Sequence, residues 1–436
     1  MIEIIKQQEI PERVRVQNDR QLSLLAILVA SIARGRTIIE DFNLTTPMNE
    51  FVAWLNHNNF DIKTESHRVY IEGKGFFHHF SPLQQLPQDS WGQYLALILL
   101  SQDTETVFQI ENKVYPELLA EFSLRENSDN RIAFGPPCFV LQTNKGDEID
   151  PITKVRVMLQ ALFFEQSLDF YEVKATRDII SGILTWFGAP LTVQNTSEEM
   201  DEFSRRLARL QGLKIERKIH TTLQTCKMLT GRDYFVPGDP TEAAAWALLA
   251  TLVPNSELLI ENVLLNNTRT GVFGAFKRMG AEIESTQRRG YGDVYGNIRI
   301  KTSKQLTGRR FTNDILNTCL EEIPLLAVAA AFAEGETILR MSASNIKREQ
   351  IMLDALIKNL KKIEIDLGIY EEGLVIRGNN DIGGTNFEGC REFPVVDMAI
   401  LVLAGVAHGK SSLNSNQVFN IFPNFFNQSN LAPKEA

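Results

Sequence analysis

The chain has 436 residues, roughly three times a typical single-domain length, so two or more domains are expected. Hydrophobic residues make up 44% and charged residues 23%, a globular composition that excludes a disordered protein. With 45 basic against 54 acidic side chains the formal charge is −9, which argues against a sequence-independent nucleic-acid binder.

Cys138, Cys226, Cys319 and Cys390 stand far apart, giving neither a CxxC motif nor a dense disulfide framework. The histidines form no HExxH, and His78-His79 reads as a solvated surface pair, so no metal site is expected. The start, Met1-Ile2-Glu3-Ile4-Ile5-Lys6, lacks the basic flank and long apolar core of a signal peptide. The apolar runs 95–100 and 323–333 are too short to span a bilayer. A soluble, cytoplasmic protein with no nucleic-acid or membrane partner is the expectation.

In chain order, apolar stretches at 22–33, 91–100, 243–252 and 323–333 read as buried helices. Between them lie shorter, half-polar strands, unlike the continuous apolar strands of a buried parallel sheet. Sheets with one solvated face around a helical interior fit this inversion.

The pattern repeats. Residues 37–62 lie over 258–283 without a gap: Ile39-Glu40 falls on Ile260-Glu261, Phe51 on Val272, and Asp61-Ile62 on Glu282-Ile283. Residues 176–189 lie over 268–281, again ungapped, and weaker copies start near Val107 and Thr337. Each unit reads as a strand, a polar Asn/Thr turn with a threonine cap, an amphipathic helix, a turn and another strand. Val272, Phe276 and Met279 mark one face of that helix.

Specific motifs follow: Phe235-Val236-Pro237-Gly238-Asp239-Pro240-Thr241-Glu242, then Asn267-Thr268-Arg269-Thr270-Gly271, then Arg278-Met279-Gly280-Ala281. Glu322-Ile323-Pro324-Leu325-Leu326 opens the next apolar helix, and Phe422-Pro423 closes the series. In this order and spacing they resemble the 5-enolpyruvylshikimate-3-phosphate (EPSP) synthase family of enolpyruvyl transferases. The resemblance is strongest over 235–340 and traceable from about 17 to 426.

The resemblance implies an α/β enolpyruvyl-transferase fold of two domains, each with three βαβαββ-type repeats, helices inside and sheets outside. The implied domains are 18–236, and 1–17 plus 237–436, with hinges near 17–18 and 236–238. It also implies transfer of the enolpyruvyl group of phosphoenolpyruvate to shikimate 3-phosphate in an interdomain cleft, with no cofactor. Two polyanionic substrates call for several Lys and Arg side chains, and the proton transfers call for carboxylate and lysine.

Mapped residue by residue, many of the family's ligand positions are changed. The family's N-terminal Lys-Ser-x-Ser-x-Arg stretch falls on Arg20, Gln21, Ser23 and Leu25, so Arg20 stands for the substrate-binding lysine. The Asn-x-Gly-Thr-x-x-Arg motif falls near Asp89-Ser90-Trp91-Gly92, with no arginine following in that helix. The shikimate-ring Ser-Ser-Gln motif falls on Pro151-Ile152-Thr153, and Thr176 matches a phosphate-binding serine with Arg177 beside it. Glu321 replaces the catalytic aspartate and Lys347 matches the family lysine. Arg348 stands where the proton-transferring glutamate is expected, and Ile351 where a phosphoenolpyruvate-binding arginine is expected. The Asp-His-Arg motif falls on Val395-Val396-Asp397, and the late lysine is Asn420.

The resemblance thus marks Glu321 and Lys347 as a candidate acid/base pair, equally readable as a structural ion pair. Arg20, Thr153, Thr176, Arg177 and Arg348 are the substrate-binding candidates. Losing one partner of a buried charged contact costs about 2–5 kcal/mol, so three losses weaken anion binding by roughly 10⁴-fold or more. Three readings follow. The first is a family member with lost or much reduced ancestral activity, acting through a ligand or a protein partner. The second is an enzyme of this fold with a changed anionic substrate. The third is an active synthase with an atypical site. Pro237-Gly238-Asp239 reads as a hinge turn and cap, and Thr268-Arg269-Thr270-Gly271 as structural.

Overall fold

The computed structural model describes residues 2–431 except 43, 77, 123, 125–130, 135–148, 173–176, 196–218, 380, 416–420 and 430. The chain divides into two compact units. A central unit comprises 20–236 with 291–293, and a flanking unit comprises 1–19, 237–290 and 294–436. Each holds three small sheets among the described residues.

The central unit is built on three buried helices. Helix α1 (Arg20–Ile32) buries every residue from Leu22 to Ile32. The amphipathic α2 (Thr46–His57) follows its strand, and α3 (Ser90–Leu100) is buried from Trp91 onward. The short α4 (Pro116–Glu121) precedes the third buried helix, α5 (Pro151–Phe163), and α6 (Ser181–Trp186) completes the set. A helix apolar on all sides must lie in the interior, whereas α2 keeps a polar face for solvent. The flanking unit repeats the plan with buried α7 (Pro240–Leu252), amphipathic α8 (Gly271–Met279) and the short α9 (Asn313–Leu316). It continues with buried α10 (Ile323–Ala331), α11 (Ala343–Arg348), amphipathic α12 (Gln350–Lys362), buried α13 (Pro394–Val406) and α14 (Pro423–Ser429).

The sequence pattern locates four of the six buried helices to within three residues at each end. It misses α5 and α13. Helix α5 carries Lys154, Arg156 and Gln160, which break its apolar pattern. Lys154 is nevertheless buried, because its ammonium lies 2.7 Å from the buried Glu172 carboxylate. Such a partner lies outside any local window.

The strands alternate as expected: Glu336–Arg340, for example, buries Thr337 and Leu339 and exposes Glu336 and Arg340. In five of the six sheets the strand after a buried helix takes a short strand beside it in parallel. Three short strands are exchanged. Arg13–Val14 precedes α1 in sequence but pairs with Glu257–Leu264 after α7. Leu229–Thr230 and Tyr234–Phe235 precede α7 but pair with Ala33–Glu40 after α1.

The second helix of three repeats ends in the same way. Asn59, Gly188 and Gly280 occupy equivalent positions in the ungapped registers, and all three are left-handed, with φ of 65°, 93° and 107°. A left-handed residue after the last turn is the common helix stop, and glycine or asparagine adopts it at least cost.

Candidate functional site

In the central unit the N-termini of the three buried helices are tied together. The Trp91 indole of α3 donates to the Gln21 carbonyl of α1, and the Tyr94 hydroxyl of α3 donates to the Ile152 carbonyl of α5 at 2.7 Å. Burial first, then the Glu121 charge, push the Tyr94 phenol well above its ordinary pKa, so it stays a donor. Helix N-termini carry unpaired N–H groups and a partial positive charge, which makes them ready seats for anions.

Here the chain supplies its own anions. Asp89 caps α3, one carboxylate oxygen accepting the Gly92 N–H at 2.9 Å and the other the Arg20 guanidinium at 3.2 Å. Asp150 caps α5 through the N–H groups of Ile152 and Thr153. The Thr153 hydroxyl donates to Glu121 at 3.0 Å, and the same carboxylate oxygen accepts from Arg156 at 3.0 Å. The sequence-predicted Arg20 and Thr153 therefore lie on adjoining helix ends, each bonded to a carboxylate of the same unit. Arg177 lies half-buried ahead of α6, where Asp178 accepts the Ile180 and Ser181 N–H groups. Thr176 lies outside the described residues.

The flanking unit has a denser cluster. The 17–19 and 237–239 segments pair through the bonds Asp19 N–H to Pro237 and Asp239 N–H to Gln17. Asp239 caps α7 by accepting the Thr241 and Glu242 N–H groups, as the cap reading of this turn expects. Arg269 is buried and donates to the buried Asp19, and its other terminal nitrogen lies 3.9 Å from Glu321. Burial works against the Arg269 charge, but Asp19, Asp239, Glu321 and Glu322 outweigh it and raise its pKa. The Thr241 hydroxyl donates to the buried Glu322. This arrangement agrees with the structural reading of the Thr268–Gly271 stretch. It corrects one detail of it: Thr270, at the α8 N-cap, makes no side-chain cap and donates instead to the Asn266 carbonyl.

Of the candidate acid/base pair, Glu321 has a side chain 40% exposed and next to Arg269. Lys347 and Arg348 end α11, and their side chains lie outside the described residues. Asp397, in the first turn of α13, is fully buried and accepts the Cys390 N–H at 2.7 Å and the Ser415 hydroxyl. Burial raises its pKa against those two bonds. It is thus committed to holding a loop.

From sequence, Asp150 and Glu121 carry no functional assignment, and Asp89 appears only where a family motif falls. A signal existed for two of them: Asp89-Ser90 and Asp150-Pro151 each precede an apolar run, the usual N-cap pattern. Glu121 had none, because it meets Thr153 and Arg156 only through the fold.

The sequence profile of EPSP synthase (3-phosphoshikimate 1-carboxyvinyltransferase) matches residues 156–428. The chain belongs to the EPSP synthase family. It is 28% identical over 428 residues to a 3-phosphoshikimate 1-carboxyvinyltransferase of Synechococcus sp. (strain JA-3-3Ab), covering 95% of this chain and 92% of that one. A relative of the same name from Thermoanaerobacter sp. (strain X514) is 27% identical over 439 residues, covering 98% of both. Among solved structures, EPSP synthase from Acinetobacter baumannii matches with a TM-score of 0.76 at 21% identity, over 99% of this chain and 98% of that one. The enolpyruvyl transferase NikO from Streptomyces tendae matches with a TM-score of 0.71 at 13% identity, over 98% and 96%. The enolpyruvyl-transferase fold implied by the resemblance is therefore the fold of this chain. The EPSP synthase family reaction is transfer of the enolpyruvyl group of phosphoenolpyruvate to shikimate 3-phosphate.

Proposed function

We propose that this chain is a cytoplasmic EPSP synthase family member whose ancestral transfer activity is lost or much reduced. It keeps the fold to bind a small metabolite or a protein partner. One observation carries the reading: in the central unit Arg20 is ion-paired with Asp89, while Glu121 takes both Thr153 and Arg156. A polyanionic substrate there has to compete with Asp89 for Arg20 and with Glu121 for Thr153 and Arg156. The replacements at Leu25, Ile351 and Asn420 point the same way.

A second reading, an active 3-phosphoshikimate 1-carboxyvinyltransferase with an atypical site, draws support from the near full-length relatives that bear that name. In it Glu321 and Lys347 move the protons.

Calorimetric titration with shikimate 3-phosphate, alone and with phosphoenolpyruvate, separates the two. Millimolar or absent binding with no phosphate release is the expected result. Micromolar binding that tightens with the second substrate, together with phosphate release, would establish the active synthase. Glu321→Ala and Lys347→Ala would then each lower kcat by about 10²–10⁴-fold.

A further inference from the structure

The chain leaves the flanking unit after Asp19 and re-enters it at Pro237. Inside that unit the two crossing segments are clasped together. The Asp19 N–H donates to the Pro237 carbonyl at 2.9 Å, and the Asp239 N–H to the Gln17 carbonyl at 2.7 Å. Gly238 donates to Asn262 and accepts from Leu264, both on the strand Glu257–Leu264. Glu242 closes the clasp from α7: its buried carboxylate accepts the Gln17 N–H at 3.0 Å.

The charged groups around Glu242 come from several elements. Asp239 caps the same helix. Asp19, on the first crossing segment, lies toward Asp239 and takes Arg269 from the loop ahead of α8. Glu321 and Glu322, just ahead of α10, lie toward Arg269, and Thr241 donates to Glu322. From the C-terminal end the Ile421 carbonyl meets the Gln17 side chain and the Phe425 ring meets Trp246, neither of them charged. Among the described residues no cation contacts Glu242.

We propose that the crossing segments form a proton-linked clasp, closed while Glu242 holds its proton and opened locally, over 17–19 and 237–239, when that proton is released. A neutral carboxyl group accepts the Gln17 N–H at no cost in charge. An ionised one places an uncompensated charge in a dry site beside Asp239. To regain water, something covering it must move. The Gln17–Asp19 backbone is held by individual hydrogen bonds, whereas α7 behind it is buried along almost its whole length. Burial, helped by Asp239 and opposed by the Gln17 bond, raises the Glu242 pKa to about 8. The closed clasp thus binds the proton more tightly than the open one. Opening becomes easier as pH rises from the ordinary carboxylate range to about 8 and levels off above it. The clasp does not depend on whether the ancestral reaction survives.

The test is amide hydrogen exchange on the full-length protein between pH 6 and 8.5, with rates divided by those of unstructured peptides at the same pH. Peptides covering the two crossing segments are compared with one from α10. The crossing peptides are expected to be at least 100-fold less protected than α10, the mark of local opening. Their protection is expected to fall at least tenfold from pH 6 to 8.5. In Glu242→Gln, which still accepts the Gln17 N–H and whose folding a melting curve checks, it is expected to stay within threefold. Protection equal to that of α10 at every pH, protection constant across the series, or a pH dependence that survives in Glu242→Gln each overturns the proposal. Should the variant fail to fold, the first two outcomes still decide it on the parent protein.

Discussion

Glu242 is fully buried in the first turn of α7, with one carboxylate oxygen accepting the Gln17 N–H at 3.0 Å. The Trp246 indole lies one turn on beside the carboxylate and, like the Gln17 bond, favours its charged form. Burial, reinforced by Asp239, pushes its pKa up to about 8 against the Gln17 bond, so it is largely protonated at neutral pH. The folded value lies above the ordinary 4.5, so between pH 4.5 and 8 the folded chain holds a proton that the unfolded chain has released. Stability therefore falls as pH rises through that window. Asp239, pushed to about 6 by burial and by Asp19, adds to the same slope up to its own value. Glu242→Gln is expected to flatten the dependence of the denaturant midpoint between pH 6 and 8. It should stabilise the protein by on the order of 2 kcal/mol at pH 8. An unchanged slope would show that Glu242 is ionised in the fold.

Three repeats stop their second helix with one left-handed residue, and the tolerated substitutions follow from that geometry. At Gly280, φ is +107° and an added Cβ would sit 3.2 Å from the Gln305 carbonyl oxygen. Gly280→Val should lower stability by roughly 1–3 kcal/mol, through positive φ at a β-branched residue and the close carbonyl. Asn59 already adopts φ of 65°, so Asn59→Gly should stay within about 1 kcal/mol of the parent. Melting temperatures of the two variants check both, and equal losses would refute the equivalence of the two positions. The ungapped registers align these positions from the sequence alone. The α5 helix shows the opposite case, since its lysine is explained only by Glu172 on the strand Leu168–Glu172.

The central unit is continuous from 20 to 236 apart from 291–293, and its six described helices and three sheets are formed within that stretch. Expressed alone, residues 20–236 are expected to fold and melt in a single cooperative transition by circular dichroism. A broad, non-cooperative melt would show that its core depends on the rest of the chain. The flanking unit is assembled from separate stretches: Ile2–Ile4 pairs with Ser411–Asn414, and Arg13–Val14 with Glu257–Leu264. No helix among the described residues is long and apolar enough to cross a membrane.

Period, apolar runs and ungapped self-similarity determined the repeat unit and four of the six buried helices, and the motifs over 235–340 carried the resemblance to the family, because each is a local regularity that the residues carry themselves. The Asp-Ser and Asp-Pro caps were equally local and could have been read. Tertiary structure alone decided that Arg20 faces Asp89, that Glu121 joins Thr153 to Arg156, and that Arg269 sits among four carboxylates. The partners in those contacts are between 30 residues (Arg269 and Asp239) and 250 residues (Arg269 and Asp19) apart, so no local pattern encodes them. Charge at a site is a sum over what the fold brings near. A list of retained and replaced basic residues cannot reveal which of them the protein has already neutralised.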